Sequence, residues 1–174
     1  MQQEWLKFLS DQGLEPNSPV RESSFSSTKA CTGKTVYCAL NYLGCLEISG
    51  ADATGFLQGQ FTNDVRKVTE SQAQLSSYCT PKGRILTIFY LIKRADKYWM
   101  LLPQTLLESV ATRLRMYVMR SKVEIKNIST ELAIIGLIGS TASDVVKRWT
   151  QDPLTEKFSC SSQLQHSVCH IPGG

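Results

Sequence analysis

Three residues, Pro81-Lys82-Gly83, separate two strand-like runs at 74–80 and 84–93, and this spacing constrains the fold more than any other feature of the chain. Strands joined so closely fold back on each other, which makes the sheet antiparallel at this point. In the second run Ile85, Leu86, Ile88, Phe89, Leu91 and Ile92 are nearly continuous, the pattern of a central strand buried on both faces. Further strands read at 36–40 and 45–49, around a turn at 41–44, and at 98–102, 122–127 and 132–138. A helix reads at 52–58, with Asp52 placed to cap or charge its first turn. A second runs from Pro103 to about Arg120, where Leu107, Val110, Ala111, Leu114, Tyr117 and Val118 recur at helical spacing. A third reads at 141–149. Strands in runs with helices between them give an α+β fold with mostly antiparallel sheet.

The first 34 residues stand apart as an extension. Trp5, Leu6, Phe8 and Leu9 make a short amphipathic helix that stops near Gly13, and 16–27 is rich in Pro and Ser, a composition expected to stay flexible. The packed part is expected over 35–174. No apolar run approaches the ~20 residues that span a bilayer. Glu4 and Asp11 interrupt the start in a way that neither a signal peptide nor a mitochondrial presequence does, so a cytoplasmic protein is predicted. Six cysteines, at 31, 38, 45, 79, 160 and 169, include no C-x-x-C pair, and reduced, buried or idle thiols are expected. Cys160, His166, Cys169 and His170 match no familiar zinc spacing, so no metal site is predicted.

Polar and glycine residues are densest at 50–65, G-A-D-A-T-G-F-L-Q-G-Q-F-T-N-D-V. They follow no single period, so they either cap backbone groups or hold a polar ligand. Gln58 and Gln60 flank Gly59, where the backbone is free to turn sharply. Thr62, Asn63 and Asp64 suit an Asx- or ST-type turn, which also stabilises its own loop. Lys82 and Arg84 flank Gly83. On an extended segment side chains two apart share a face, so the pair is expected to form a compact cationic site for a carboxylate or phosphate. The order G-A-D-x-x-x-F-L-Q-G-Q-x-T-N-D-V, followed by a K-G-R turn, resembles the YgfZ group of folate-binding proteins, relatives of the glycine-cleavage T-protein (aminomethyltransferase), from about Gly44 to Ile138.

The resemblance implies a GcvT/YgfZ-type folate-binding domain built from two related halves. The first half falls at about 35–120. The second begins at about 121–174, and the domain is incomplete at the carboxy end. The implied cofactor is tetrahydrofolate or a derivative, with Tyr42, Leu43, Gln60, Asn63, Asp64, Lys82 and Arg84 as the folate-binding positions. In the YgfZ branch an aromatic side chain stacks on the pterin; that position falls on Leu43, with Tyr42 beside it. Aminomethyltransferases carry acidic residues in the strand after the turn, and here that stretch is Ile85-Leu86-Thr87-Ile88, without a carboxylate for acid/base work. The branch's K-G-C-Y-x-G-Q-E signature is absent, so Cys45 and Cys79 inherit no role and no catalytic residue is assigned.

By resemblance, the function is that of a folate-dependent accessory protein supporting iron–sulfur enzyme assembly or repair and tRNA modification. Its partners are iron–sulfur enzymes, including those that thiolate tRNA. The alternative is a tetrahydrofolate-dependent aminomethyltransferase. A second alternative comes from charge: Arg66 to Lys126 holds 12 Lys/Arg and 4 Asp/Glu, a net +8 (12 − 4). Such a surface attracts anions, nucleic acid among them.

Overall fold

A computed structural model describes residues 35–148, 150, 154–163 and 166–171, with Glu4, Lys7 and Asp11 besides. The helix expected around Trp5 and Phe8, the stretch 16–27, Cys31 and Trp149 lie outside the described residues. The chain orders as β1 (Val36–Ala39), β2 (Leu43–Ser49), α1 (Ala53–Gln58), β3 (Gln74–Cys79), β4 (Ile85–Arg94), β5 (Lys97–Pro103), α2 (Leu107–Val118), β6 (Glu124–Asn127), β7 (Ile135–Ile138), α3 (Ala142–Lys147), β8 (Cys160–Ser162) and β9 (Ser167–Cys169). This is the α+β architecture with antiparallel sheets that the pattern predicts.

Two units form. The first comprises the described parts of 1–41 and 130–153. In it β1 pairs antiparallel with β7, Val36 opposite Ile138 and Ala39 opposite Ile135. β1 therefore does not pair with β2 across the turn at 41–44. Its partner comes from a hundred residues later, a choice that no local turn signal encodes.

The second unit, Tyr42–Ser129 with the described part of 154–174, holds a five-stranded sheet in the order β3-β4-β5-β2-β6. All its pairings are antiparallel. Side chains alternate across such a sheet. Leu46, Ile48, Phe89, Leu91, Met100 and Leu102 point to one face. There they pack under Phe56 and Leu57 of α1 and under Val110, Ala111 and Leu114 of α2. Tyr98 joins this core and directs its hydroxyl to Thr54 Oγ1 at 2.8 Å, which satisfies the buried phenol. Tyr117 departs from its expected place in the apolar stripe of α2: it is exposed.

The opposite face is only partly covered. The strand pairings align Leu75, Tyr90, Leu101 and Cys45 in one row across it. At one end Ile92 and Ala73 are buried with Cys160, against Trp99, Leu101, Phe158 and Cys169. The cover is the β8–β9 hairpin, which the sequence pattern did not announce. Cys160 stands opposite Cys169 in its register, and a disulfide joins them, against the expectation of reduced thiols. At the other end Ile85 and Ile88 are 56% and 54% exposed. β4 is thus open on one side here and not buried on both. The nearly continuous apolar run reflects a strand whose second face is clad only in part.

Two close approaches explain motif residues. Gly50 has φ +114°, and a Cβ there would run into the Lys122 carbonyl oxygen. Asp52 precedes α1 but makes no side-chain cap. Its Oδ2 instead accepts the Lys122 N–H at 2.7 Å, tying the α1 entrance to the turn between α2 and β6.

Candidate functional site

The β3–β4 hairpin closes through Thr80-Pro81-Lys82-Gly83. The Gly83 N–H donates to the Thr80 carbonyl at 2.9 Å, and the Thr80 N–H to the Arg84 carbonyl at 2.8 Å. Proline suits the second position of such a turn, and Gly83 carries φ +78°, where a residue without Cβ is unstrained. The segment is therefore not extended at Gly83, and the rule that put Lys82 and Arg84 on one face does not apply. Both are exposed. Beyond the turn a β-bulge shifts the register: Tyr78 faces Thr87, whereas Cys79 faces Ile85. Leu86 is the extra residue and packs toward the helix-side core, while Ile85 and Ile88 stay on the open face.

Topology brings separated candidates together. β2 and β4 both run antiparallel to β5, so they run in the same direction and begin at the same end of the sheet. Tyr42 and Leu43 at the start of β2 therefore stand at the end where Lys82 and Arg84 cap β3–β4. Leu43 pairs with Pro103 and shares the open face with Ile88 by alternation. The Tyr42 carbonyl accepts the Gln104 N–H at 2.8 Å, and its side chain is 58% exposed.

Most of the polar loop is spent on local structure. Thr62 Oγ1 lies 3.0 Å from Ser77 Oγ and accepts the Ser77 N–H. Asn63 donates from Nδ2 to the Leu75 carbonyl at 2.8 Å. Gln58 Oε1 accepts the Val65 N–H at 2.8 Å. Asp64 caps the 3-10 turn Val65–Lys67 by accepting the Arg66 N–H, and Arg66 grips both its oxygens at 2.8 and 3.0 Å. That hydrogen bonding holds the Asp64 carboxyl below the usual carboxylate range. Asn63 and Asp64 thus stitch the loop to the outer edge of β3. The Gln60 amide makes no such side-chain hydrogen bond among the described residues.

Two groups on the same face have a structural explanation. Cys45 is fully buried, and burial, then the Glu47 charge, push its thiol far above the ordinary range. Such a thiol is inert as a nucleophile. Glu47 accepts from Lys97 Nζ at 2.9 Å and from Trp99 Nε1 at 3.2 Å. Part of the basic segment is therefore internally engaged, Arg94 stacking on Trp99 as well. Sequence reasoning missed Leu75, Ile85 and Ile88 as members of the open face: strand register sets the facing of Leu75 and Ile88, and the bulge that sets that of Ile85 has no residue signature of its own.

The GCVT N-terminal domain family matches residues 8–173. The chain belongs to that family. Among curated relatives, a "tRNA-modifying protein YgfZ" of Colwellia psychrerythraea is 33% identical over 115 residues, 66% of this chain and 35% of the relative. One of the same description from Hamiltonella defensa is 32% identical over 132 residues, 76% of this chain and 39% of the relative. An "Aminomethyltransferase" of Halalkalibacterium halodurans is 27% identical over 140 residues, covering 79% and 38%. The chain thus spans well under half the length of these relatives. The family fold is also seen in the glycine cleavage system aminomethyltransferase T of Bartonella henselae, with a TM-score of 0.61 at 14% identity over 68% of this chain and 32% of that one.

Proposed function

We propose that this chain contributes a folate-binding surface to a YgfZ-type accessory protein that serves iron–sulfur enzymes and tRNA modification in the cytoplasm. The observation that carries the reading is the open end of the sheet. Leu43, Ile85 and Ile88 offer an apolar floor, Tyr42 an exposed aromatic ring, and Lys82 and Arg84 exposed cations above it. A flat apolar ring system suits the floor, and the carboxylates of a glutamate tail suit the cations. Gln60 is the loop amide left for a polar edge of the ligand. Asn63 and Asp64 act indirectly in this reading, by holding the loop in place. Folate supplies a one-carbon carrier when bound; this chain's residues bind and orient it.

Aminomethyl transfer is the weaker reading because β4 contains no Asp or Glu. Thr87, in the strand region where the transferases carry acids, is 3% exposed and turned to the core. The test is a titration of the chain with tetrahydrofolate by intrinsic fluorescence, wild type beside Lys82→Ala/Arg84→Ala. Charge-assisted hydrogen bonds are worth about 1.5–3 kcal/mol each, so the double variant should bind at least about tenfold more weakly at unchanged Tm. Equal affinity places the anion site elsewhere. Release of formaldehyde from a methylamine donor in the presence of tetrahydrofolate supports the transferase reading instead.

A further inference from the structure

The β8–β9 hairpin closes one end of the open sheet face, and its two strands are held there unequally. β8 is tied to the chain entering β3: the Cys160 N–H donates to the Ser71 carbonyl and the Ala73 N–H to the Phe158 carbonyl, both at 2.8 Å. β9 pairs with β8 and with no strand of the five-stranded sheet, and the Cys160–Cys169 disulfide fastens it. Arg94 adds bonds near the hairpin turn, from Nη2 to the Gln163 carbonyl at 2.8 Å and from Nη1 to the Ser167 hydroxyl at 3.4 Å. Phe158 stands between hairpin and sheet. Its ring centroid lies 6.5 Å from that of Tyr90, and it packs with Trp99 and Leu101 against the buried cluster of Ala73, Ile92 and Cys160. Its backbone has φ +63°, a conformation that strains a bulky residue and persists only while its surroundings fix it. The residue after β9 does so, because the Phe158 N–H donates to the His170 carbonyl at 2.8 Å. Two strands of three residues have little stability of their own as a hairpin, so the covalent bond decides whether this arrangement holds.

We propose that the Cys160–Cys169 bond is a reversible redox site that sets how much of the open face is uncovered. Cys160 is 6% exposed and Cys169 is half-buried, so Cys169 Sγ is the sulfur within reach of a reductant. A thiolate of a dithiol attacks it, the S–S bond breaks and Cys160 leaves as thiolate. The second thiol of the reductant then displaces Cys169 and closes its own disulfide. Two electrons and two protons pass to the protein, which gains two thiols. β9 then parts from β8, the His170 carbonyl leaves the Phe158 N–H, and Phe158 relaxes away from Tyr90. Tyr90 and Leu101 join the floor that Leu75 and Ile88 begin. The switch is independent of what lies on that floor, and so of the folate reading.

The test compares the full chain oxidised and after dithiothreitol, with the state of the pair read by alkylation and mass. Amide exchange at Ala73 and Phe158 should quicken at least about tenfold on reduction, because local opening is no longer held by a closed loop, while Met100 stays protected. Binding of Nile red, an uncharged apolar dye, should rise, and oxidised glutathione should reverse both changes. Cys160→Ser/Cys169→Ser should show the reduced values before and after dithiothreitol. Phe158→Gly, which keeps the left-handed backbone without strain, should bind the dye at the reduced level while its disulfide is intact. Exchange and dye binding that match in the two redox states, or loss of protection at Met100 together with Ala73, would overturn the proposal. So would a pair that oxidised glutathione leaves as thiols, or an oxidised Phe158→Gly chain that binds no more dye than wild type.

Discussion

Glu47 sits between Lys97 and Trp99 on the central strand, and its titration state is part of the sheet's stability. Burial works to raise its pKa, but hydrogen bonds from Lys97 and Trp99 and the charges of Lys97 and Lys126 outweigh it, leaving the carboxyl below its ordinary value. The folded state then holds fewer protons than the unfolded state between the two pKa values. Stability from this group is complete above the ordinary carboxylate range and is lost as pH falls through the lowered value. Urea midpoints measured from neutral pH down through that range should fall more steeply in wild type than in Glu47→Gln; parallel curves would mean that the pair stabilises nothing. Asp52 makes a second, separable prediction. Because it accepts the Lys122 N–H and not a helix N–H, Asp52→Ala should cost about 1 kcal/mol. It should also speed hydrogen exchange at the Lys122 amide, while exchange in α1 stays slow. Faster exchange in α1 alone would restore the capping role that position suggests.

At the scale of elements, the β3–β4 hairpin and the helices were legible and distant partners were not. The 3.6-residue stripe at Leu107, Val110, Ala111 and Leu114 specifies α2, and Pro81 with Gly83 specifies the β3–β4 turn, because those signals act between near neighbours. The pairing of β1 with β7 joins segments a hundred residues apart, and no signal within either segment names its partner. The β8–β9 hairpin escaped for another reason: its strands are three residues each, C-S-S and S-V-C, too short and too polar to alternate visibly. The candidate site was half legible. Lys82, Arg84, Tyr42 and Leu43 stand at the same end of the sheet, but the bulge at Leu86 and the left-handed Gly83 set facing in ways that residue spacing does not record. The Cys160–Cys169 bond should anchor the hairpin over Ile92 and Trp99. Closing a loop of this length is worth about 2–3 kcal/mol in the chain-entropy account. Dithiothreitol, or the Cys160→Ser/Cys169→Ser variant, should therefore lower Tm by roughly 5–10 °C. No change would show that the two residues stand as thiols in solution, as a reducing compartment favours.

Across the second unit, part of the apolar exposure is gathered on one sheet face, while Met116, Tyr117 and Met119 are exposed on and just after α2. Leu75, Ile85 and Ile88 share the open face of one sheet, beside Tyr90 and Leu101, and the β8–β9 hairpin covers only its far end. A contiguous patch of this kind marks a binding surface or drives association. The chain should therefore self-associate in a concentration-dependent way, measurable by sedimentation velocity. Ile85→Thr/Ile88→Thr keeps β-branched side chains in the strand, so Tm should move little, within about 0.5 kcal/mol per surface site, while the associated fraction drops. Tetrahydrofolate added to wild type should have the same effect if the ligand lies on this floor, because one surface cannot serve both partners at once. The two arms separate the claims. Association that survives the double variant removes the patch as its cause. Association that the variant abolishes but folate leaves untouched keeps the patch and moves the ligand off it, leaving Lys82 and Arg84 as a solvated hairpin tip.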